Sequence, residues 1–105
     1  MVSQYYHDDK TLNKLSSDGN AEAQFFIGQK HLFGERREYD PKKAFLYFKE
    51  SADKGFPPSV YNCGVMLIRG IGTNANSNEG MKLLELAYKA GIDYDEKLQL
   101  IRFVA

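Results

Sequence analysis

Apolar residues in the middle of this chain recur three and four positions apart, the spacing of a helix face, and polar or glycine-containing stretches separate one run from the next. The run from Ala21 to Phe33 predicts a helix with Ala23, Ile27 and His31 turned inward, Asn20 as its N-cap and Gly34 where it can end. A second helix is predicted to begin at Asp40-Pro41, where an acceptor side chain precedes a residue whose missing N–H does no harm in the first turn. It runs to Lys54, with Gly55 as a left-handed terminator. A third starts near Pro57 or Pro58 and reaches about Arg69. The loop Gly70 to Asn76 leads to a fourth, from Ser77 to Ala90 before Gly91, and Asn76 with Glu79 fits a capping box.

The pattern repeats itself. Gly28, Gly34 and Gly55 recur 36 residues later as Gly64, Gly70 and Gly91, and at the same offset Phe25 matches Tyr61, Leu32 matches Ile68, Asp40 matches Asn76 and Phe48 matches Leu84. One period therefore holds one helical hairpin, and because a single hairpin cannot bury its apolar face alone, successive hairpins must stack. The fold class predicted is all-α, a short α-solenoid of stacked helical hairpins with about six helices in a single domain. Repeat one spans 20–55 and repeat two 56–91. Projected outward, the period makes 8–19 an N-terminal half repeat with Leu12 and Leu15 inward, because Gly19 lies 36 residues before Gly55. Beyond Gly91, Asp93 with Glu96 predicts the start of a capping helix over 93–105 that carries Leu98, Leu100, Ile101 and Val104. Two whole and two half repeats reach the three units such folds need only if both halves count, so stability should be modest or assisted by self-association. Gly28 and Gly64, inside helices, predict close approach of a neighbouring helix.

The combination Ala21-Glu22-Ala23-Gln24, Ile27-Gly28, Leu32, Gly34, Asp40, Lys43-Ala44, Tyr47-Phe48, Ala52 and Gly55 resembles the Sel-one-like repeat family, relatives of tetratricopeptide repeats. Repeat two is similar but looser: Gly64, Gly70-Ile71-Gly72-Thr73, Leu83-Leu84, Ala87 and Gly91 stand, while Ser59, Val60 and Gly80 replace the family's Ala, Gln and Ala. In repeat one, Arg36 stands where the family usually has a second loop glycine. The resemblance implies a right-handed solenoid and a non-enzymatic module that binds a partner protein or peptide in a concave groove lined by the first helix of each repeat. On that reading Glu22, Phe25, Phe26, Gln29 and Phe33 face the groove in repeat one, and Pro58, Tyr61, Asn62, Val65 and Arg69 in repeat two. Aromatic residues and arginine are common binding hot spots, yet Phe25, Phe26 and Tyr61 also suit packing between adjacent helices, and both readings stand.

Composition narrows the function classes. Fourteen basic and fourteen acidic residues cancel, which removes the long-range field that a general nucleic-acid or anionic-membrane binder uses. No apolar run approaches the roughly 18 residues of a membrane span, and Met1 to Lys10 lacks the basic end and apolar stretch of a signal peptide. The expectation is a cytoplasmic chain whose single cysteine suits a reducing compartment; Met1 suggests a true start.

Candidate chemistry adds little. His31 reads as a core or half-buried residue, and Cys63, matching Ile27, as an inert buried thiol without a base beside it. His7, Asp8 and Asp9 are consecutive and poorly placed to converge on a metal, whereas Asp8 or Asp9 makes a natural helix cap. Gly70 to Gly72 has neither the preceding strand nor the following Lys-Ser/Thr of a phosphate loop. Glu35-Arg36-Arg37-Glu38 carries no net charge and reads as solvated loop. A family subgroup with paired cysteines in every repeat has been linked to penicillin-like ligands, and this chain lacks those pairs. No enzyme activity, cofactor or metal is expected. The alternative to a general adaptor is a dedicated inhibitor, such as an immunity protein that neutralises a cognate bacterial toxin.

Overall fold

Asp8, Asn20, Asp40 and Asn76 each turn a side-chain oxygen back onto the backbone N–H three residues ahead, at 3.0, 2.8, 3.1 and 3.1 Å. Each such bond satisfies one of the free donors at a helix start. The computed structural model describes residues 8–94 and 96–103, and these hold five α-helices: α1 (Asp9–Ser17), α2 (Ala21–Phe33), α3 (Pro41–Asp53), α4 (Pro57–Arg69) and α5 (Ser77–Lys89). Only α4 starts without a side-chain cap; Phe56 precedes it and two prolines open it. At α1 the Asp8 carboxyl accepts from the Thr11 hydroxyl and backbone N–H, and these bonds hold its pKa below the ordinary value. His7 lies outside the described residues.

Each helix packs on its neighbours in sequence, α1 on α2 through to α4 on α5, the nearest-neighbour order of a stacked array. The two hairpins are made alike. A Cβ on Gly28 would stand 3.0 Å from the Phe48 ring and 3.2 Å from the Ala44 carbonyl; one on Gly64 would stand 2.9 Å from the Gly80 carbonyl and 3.1 Å from Leu84. The loops also match. Gly34 and Gly70 end α2 and α4 in the left-handed region, Glu35 and Ile71 donate to the carbonyls of Lys30 and Met66, and Asp40 and Asn76 donate to those of His31 and Leu67. That last bond alters the expected capping box: the Asn76 N–H is already taken at 2.7 Å, so Glu79 accepts from the Asn76 side-chain amide instead, at 3.4 Å.

Burial separates the first helices from the second. In α3 and α5 the buried residues keep to one face, as Ala44 with its neighbour Phe45, then Phe48 and Ser51, and as Gly80, Leu84 and Ala87. In α2 every residue from Ala23 to Leu32 is buried, and in α4 every residue from Ser59 to Leu67. A helix buried all round needs cover on every side, and neighbouring helices provide only part of it.

The missing cover is the C-terminal segment, which corrects the sequence-based expectation. The helix predicted over 93–105 does not form in the described part of that stretch: 93–94 and 98–103 are irregular, and a turn occupies 96–97. Leu98 takes φ 49°, which breaks a right-handed helix. Beyond it, side chains of α2 and α4 hold the backbone groups that a helix would use for its own hydrogen bonds.

Candidate functional site

Gln29 on α2 and Asn62 on α4 are fully buried carboxamides, groups that cannot be left without hydrogen-bond partners at small cost. Each holds both backbone groups of one residue of the C-terminal segment. The Asn62 Oδ1 accepts from the Ile101 N–H at 2.8 Å while its Nδ2 donates to the Ile101 carbonyl at 3.0 Å. The Gln29 Oε1 accepts from the Phe103 N–H at 2.8 Å while its Nε2 donates to the Phe103 carbonyl at 2.6 Å. The Tyr61 hydroxyl donates to the Gln99 carbonyl at 2.7 Å. Contacts at residues 99, 101 and 103 follow the two-residue period of a strand, so the segment crosses from α4 to α2 as an extended peptide lying on their shared face.

Side chains of the segment use the rest of that face. The Phe103 ring sits edge-on to Phe25 and Phe26, with centroids 5.5 and 6.0 Å away. The Arg102 guanidinium lies 4.4 Å over the Phe33 ring, a cation–π arrangement. Arg102 also pairs with Glu35, its Nε 2.8 Å from Oε1. Leu100 and Ile101 pack against the cluster of Val60, Tyr61, Val65, Leu84 and Ala87.

Six of the ten predicted groove residues therefore meet the segment directly: Phe25, Phe26, Gln29, Phe33, Tyr61 and Asn62; Pro58, in the first turn of α4, is half-buried. Val65 is fully buried in the cluster behind it. Glu22 and Arg69 are exposed, in the first turn of α2 and at the end of α4. Phe25 serves both readings left open by the sequence, since its ring also packs 5.4 Å from Phe48 and 5.7 Å from Phe56. Two participants escaped sequence reasoning. Glu35, read as solvated loop, is an ion-pair partner, and residues 99–103, read as helix, are the occupant. The alternation of Gln99, Ile101 and Phe103 was available as a strand signal, but Leu98, Leu100, Ile101 and Val104 fit helical spacing equally well.

The reactive side chains lie elsewhere. His31 is stacked on Tyr47 with ring centroids 5.8 Å apart, and its Nδ1 is 3.2 Å from the Glu38 carbonyl. Burial pushes the Cys63 thiol up to about 12, so almost no thiolate exists near neutral pH. Among the described residues no group of His, Cys, Asp or Glu is placed to hold a metal ion, and no helix is long and apolar enough to cross a membrane. A cleft of about 560 Å³ opens beside α3, lined by His31, Arg37, Lys43, Leu46, Tyr47 and Glu50 with Ser16 and Ser17.

Two repeats of the Sel1 family model match residues 21–56 and 57–92, one to each hairpin, α2–α3 and α4–α5. The chain belongs to the Sel1 repeat family. Sel1 repeat proteins are generally non-enzymatic protein–protein interaction modules. The chain is similar to the chitin synthase regulator SKT5 of Saccharomyces cerevisiae, at 30% identity over 72% of this chain and 11% of that protein. It is also similar to a Sel1-like repeat-containing protein of Schizosaccharomyces pombe, at 36% identity over 59% of this chain and 10% of that protein. The chain thus spans about a tenth of the length of these curated relatives. No solved structure matches it.

Proposed function

We propose that this Sel1 repeat chain binds a partner protein through the face shared by α2 and α4, holding an extended stretch of that partner, and performs no catalysis itself. The observation that carries this reading is the pair of buried carboxamides, Gln29 and Asn62, each presenting a donor and an acceptor to the backbone of an extended chain. Around them Phe25, Phe26, Phe33 and Tyr61 provide the aromatic surface that commonly anchors protein contacts. The similarity to a protein named as a regulator of an enzyme fits a module that acts by contact. An adaptor of this kind works at micromolar affinity, about −8 kcal/mol.

The test is capture from a lysate of the source organism with the tagged chain as bait, beside a Phe33→Glu, Arg69→Glu double variant. A protein retained in a one-to-one complex and lost with the folded variant supports this face as the binding surface. Equal retention by the folded variant removes it.

A further inference from the structure

We infer that residues 99–103 are an exchangeable occupant of the α2–α4 face, holding in cis the place that an extended peptide of the same chemistry takes in trans. This rests on the binding role proposed above and names the ligand class: successive aliphatic, cationic and aromatic residues, in the order of Ile101, Arg102 and Phe103.

The bonds that seat the segment are those of a ligand rather than of a structural element. Among the described residues no backbone–backbone hydrogen bond ties 98–103 to the helices. The five bonds to its backbone come from the side chains of Tyr61, Asn62 and Gln29. Such bonds read only the extended shape of the chain, and any peptide able to adopt it offers the same donors and acceptors. The side-chain positions add selectivity. Phe25 and Phe26 receive an aromatic ring, Phe33 and Glu35 receive a cation, and the apolar cluster on α4 receives an aliphatic side chain. Glu35 is itself held by the face, its Oε2 accepting from the Gln29 Nε2 at 3.4 Å.

The segment can also leave. Gln99 and Arg102 are exposed, and Leu100, Ile101 and Phe103 are only partly buried, so release bares the face without separating any pair of helices. The affinity of a trans peptide is then the intrinsic affinity reduced by the fraction of molecules with the face open. Weakening the cis segment should strengthen trans binding, which a merely structural tail would not do.

The probe is a fluorescent peptide with the sequence of residues 99–103, blocked at both ends, titrated into the intact chain and into the full-length variants Phe103→Ala and Arg102→Ala, with folding checked by circular dichroism. The expected result is binding about tenfold tighter, or more, by the variants than by the parent, lost again when Asn62→Ala is added. A second measurement covers the case in which a variant fails to fold: in the otherwise unaltered chain, a fluorine label on the Phe103 ring should move towards its free-segment resonance as unlabelled peptide is added. Binding that leaves the fluorine signal in place, or equal binding by folded parent and variants, overturns the proposal. So does no binding by any of them. A dimer whose fluorine signal depends on protein concentration would put a second copy's segment in the face and overturn the cis arrangement. If the peptide never competes while capture of a partner still depends on Phe33 and Arg69, the exchange falls and the binding function stands.

Discussion

Arg36 and Gly72, one repeat apart, share a left-handed backbone at φ 59° and 70°, yet only Gly72 lacks room for a side chain: a Cβ there would stand 2.1 Å from the Pro41 carbonyl oxygen. The loop of repeat two rests on the start of α3. Gly72→Ala combines that backbone clash with the cost of a left-handed non-glycine, and should destabilise by about 3 kcal/mol. Arg36→Gly removes the left-handed cost while loosening the unfolded chain, for a net gain of up to about 1 kcal/mol. Urea unfolding of the two variants reads opposite signs at matched positions; a destabilised Arg36→Gly would show that contacts of the arginine outweigh its backbone strain.

The Lys30 ammonium is buried with its side chain 1% exposed, and Asp9 on α1 holds it at 2.6 Å. This pair ties the N-terminal half repeat to the first hairpin. Asp9→Ala takes the Asp9 carboxylate away from a buried ammonium, and since Asp9 is partly exposed the loss should be about 2–3 kcal/mol, below that of a fully buried pair. Lys30→Met, alone or with Asp9→Ala, should cost much less, because no charge is then left in the interior. Thermal melts of the three variants check the order, and equal losses for Asp9→Ala and Lys30→Met would contradict it.

Burial raises the Cys63 thiol from 9.0 to about 12. In the unfolded chain the thiol loses its proton from about pH 9 upward while the native chain keeps it, so the native state binds more protons in that window. Stability is therefore fully present below the unfolded value and falls as pH rises, at up to about 1.4 kcal/mol per pH unit. Comparing urea midpoints at pH 8 and pH 10 for the parent and Cys63→Ala isolates this thiol, because every other group is common to both chains. The parent should lose more. A thiol reagent should label Cys63 only after denaturation.

The helical framework was legible because its signals are local. Asn20, Asp40 and Asn76 cap where their side chains predict, and Gly28 and Gly64 sit where helices approach closely, a consequence readable from recurrence alone. The face was legible in outline, since helical periodicity separates Phe25, Gln29, Tyr61 and Asn62 from the inward Ala23, Ile27 and His31. Its occupant was not. Whether Leu98 to Phe103 coils into a helix or runs extended depends on partners far away in sequence, with Gln29 and Phe103 separated by 74 residues. No local propensity encodes a competition between a helix's own hydrogen bonds and two carboxamides on other helices.

A last prediction concerns the step between repeats, where the Ser59 hydroxyl donates to Ser51 Oγ at 2.7 Å and Ser51 Oγ donates to the Ala21 carbonyl at 2.7 Å. Both serines are fully buried, so the chain of bonds links α4, α3 and the start of α2. Ser59→Ala removes the outer donor and leaves the bond from Ser51 to Ala21 intact; it should cost about 0.5–1 kcal/mol. Ser51→Ala removes the middle, leaving the Ser59 hydroxyl without this acceptor and the Ala21 carbonyl without this donor, for about 2 kcal/mol. Once Ser51 is gone, taking away the stranded Ser59 hydroxyl should restore stability, so the double variant should be more stable than Ser51→Ala alone. A double-mutant cycle by urea unfolding measures this coupling directly. Additive losses would mean that the two hydroxyls act independently and that the linkage between repeats rests on apolar packing alone.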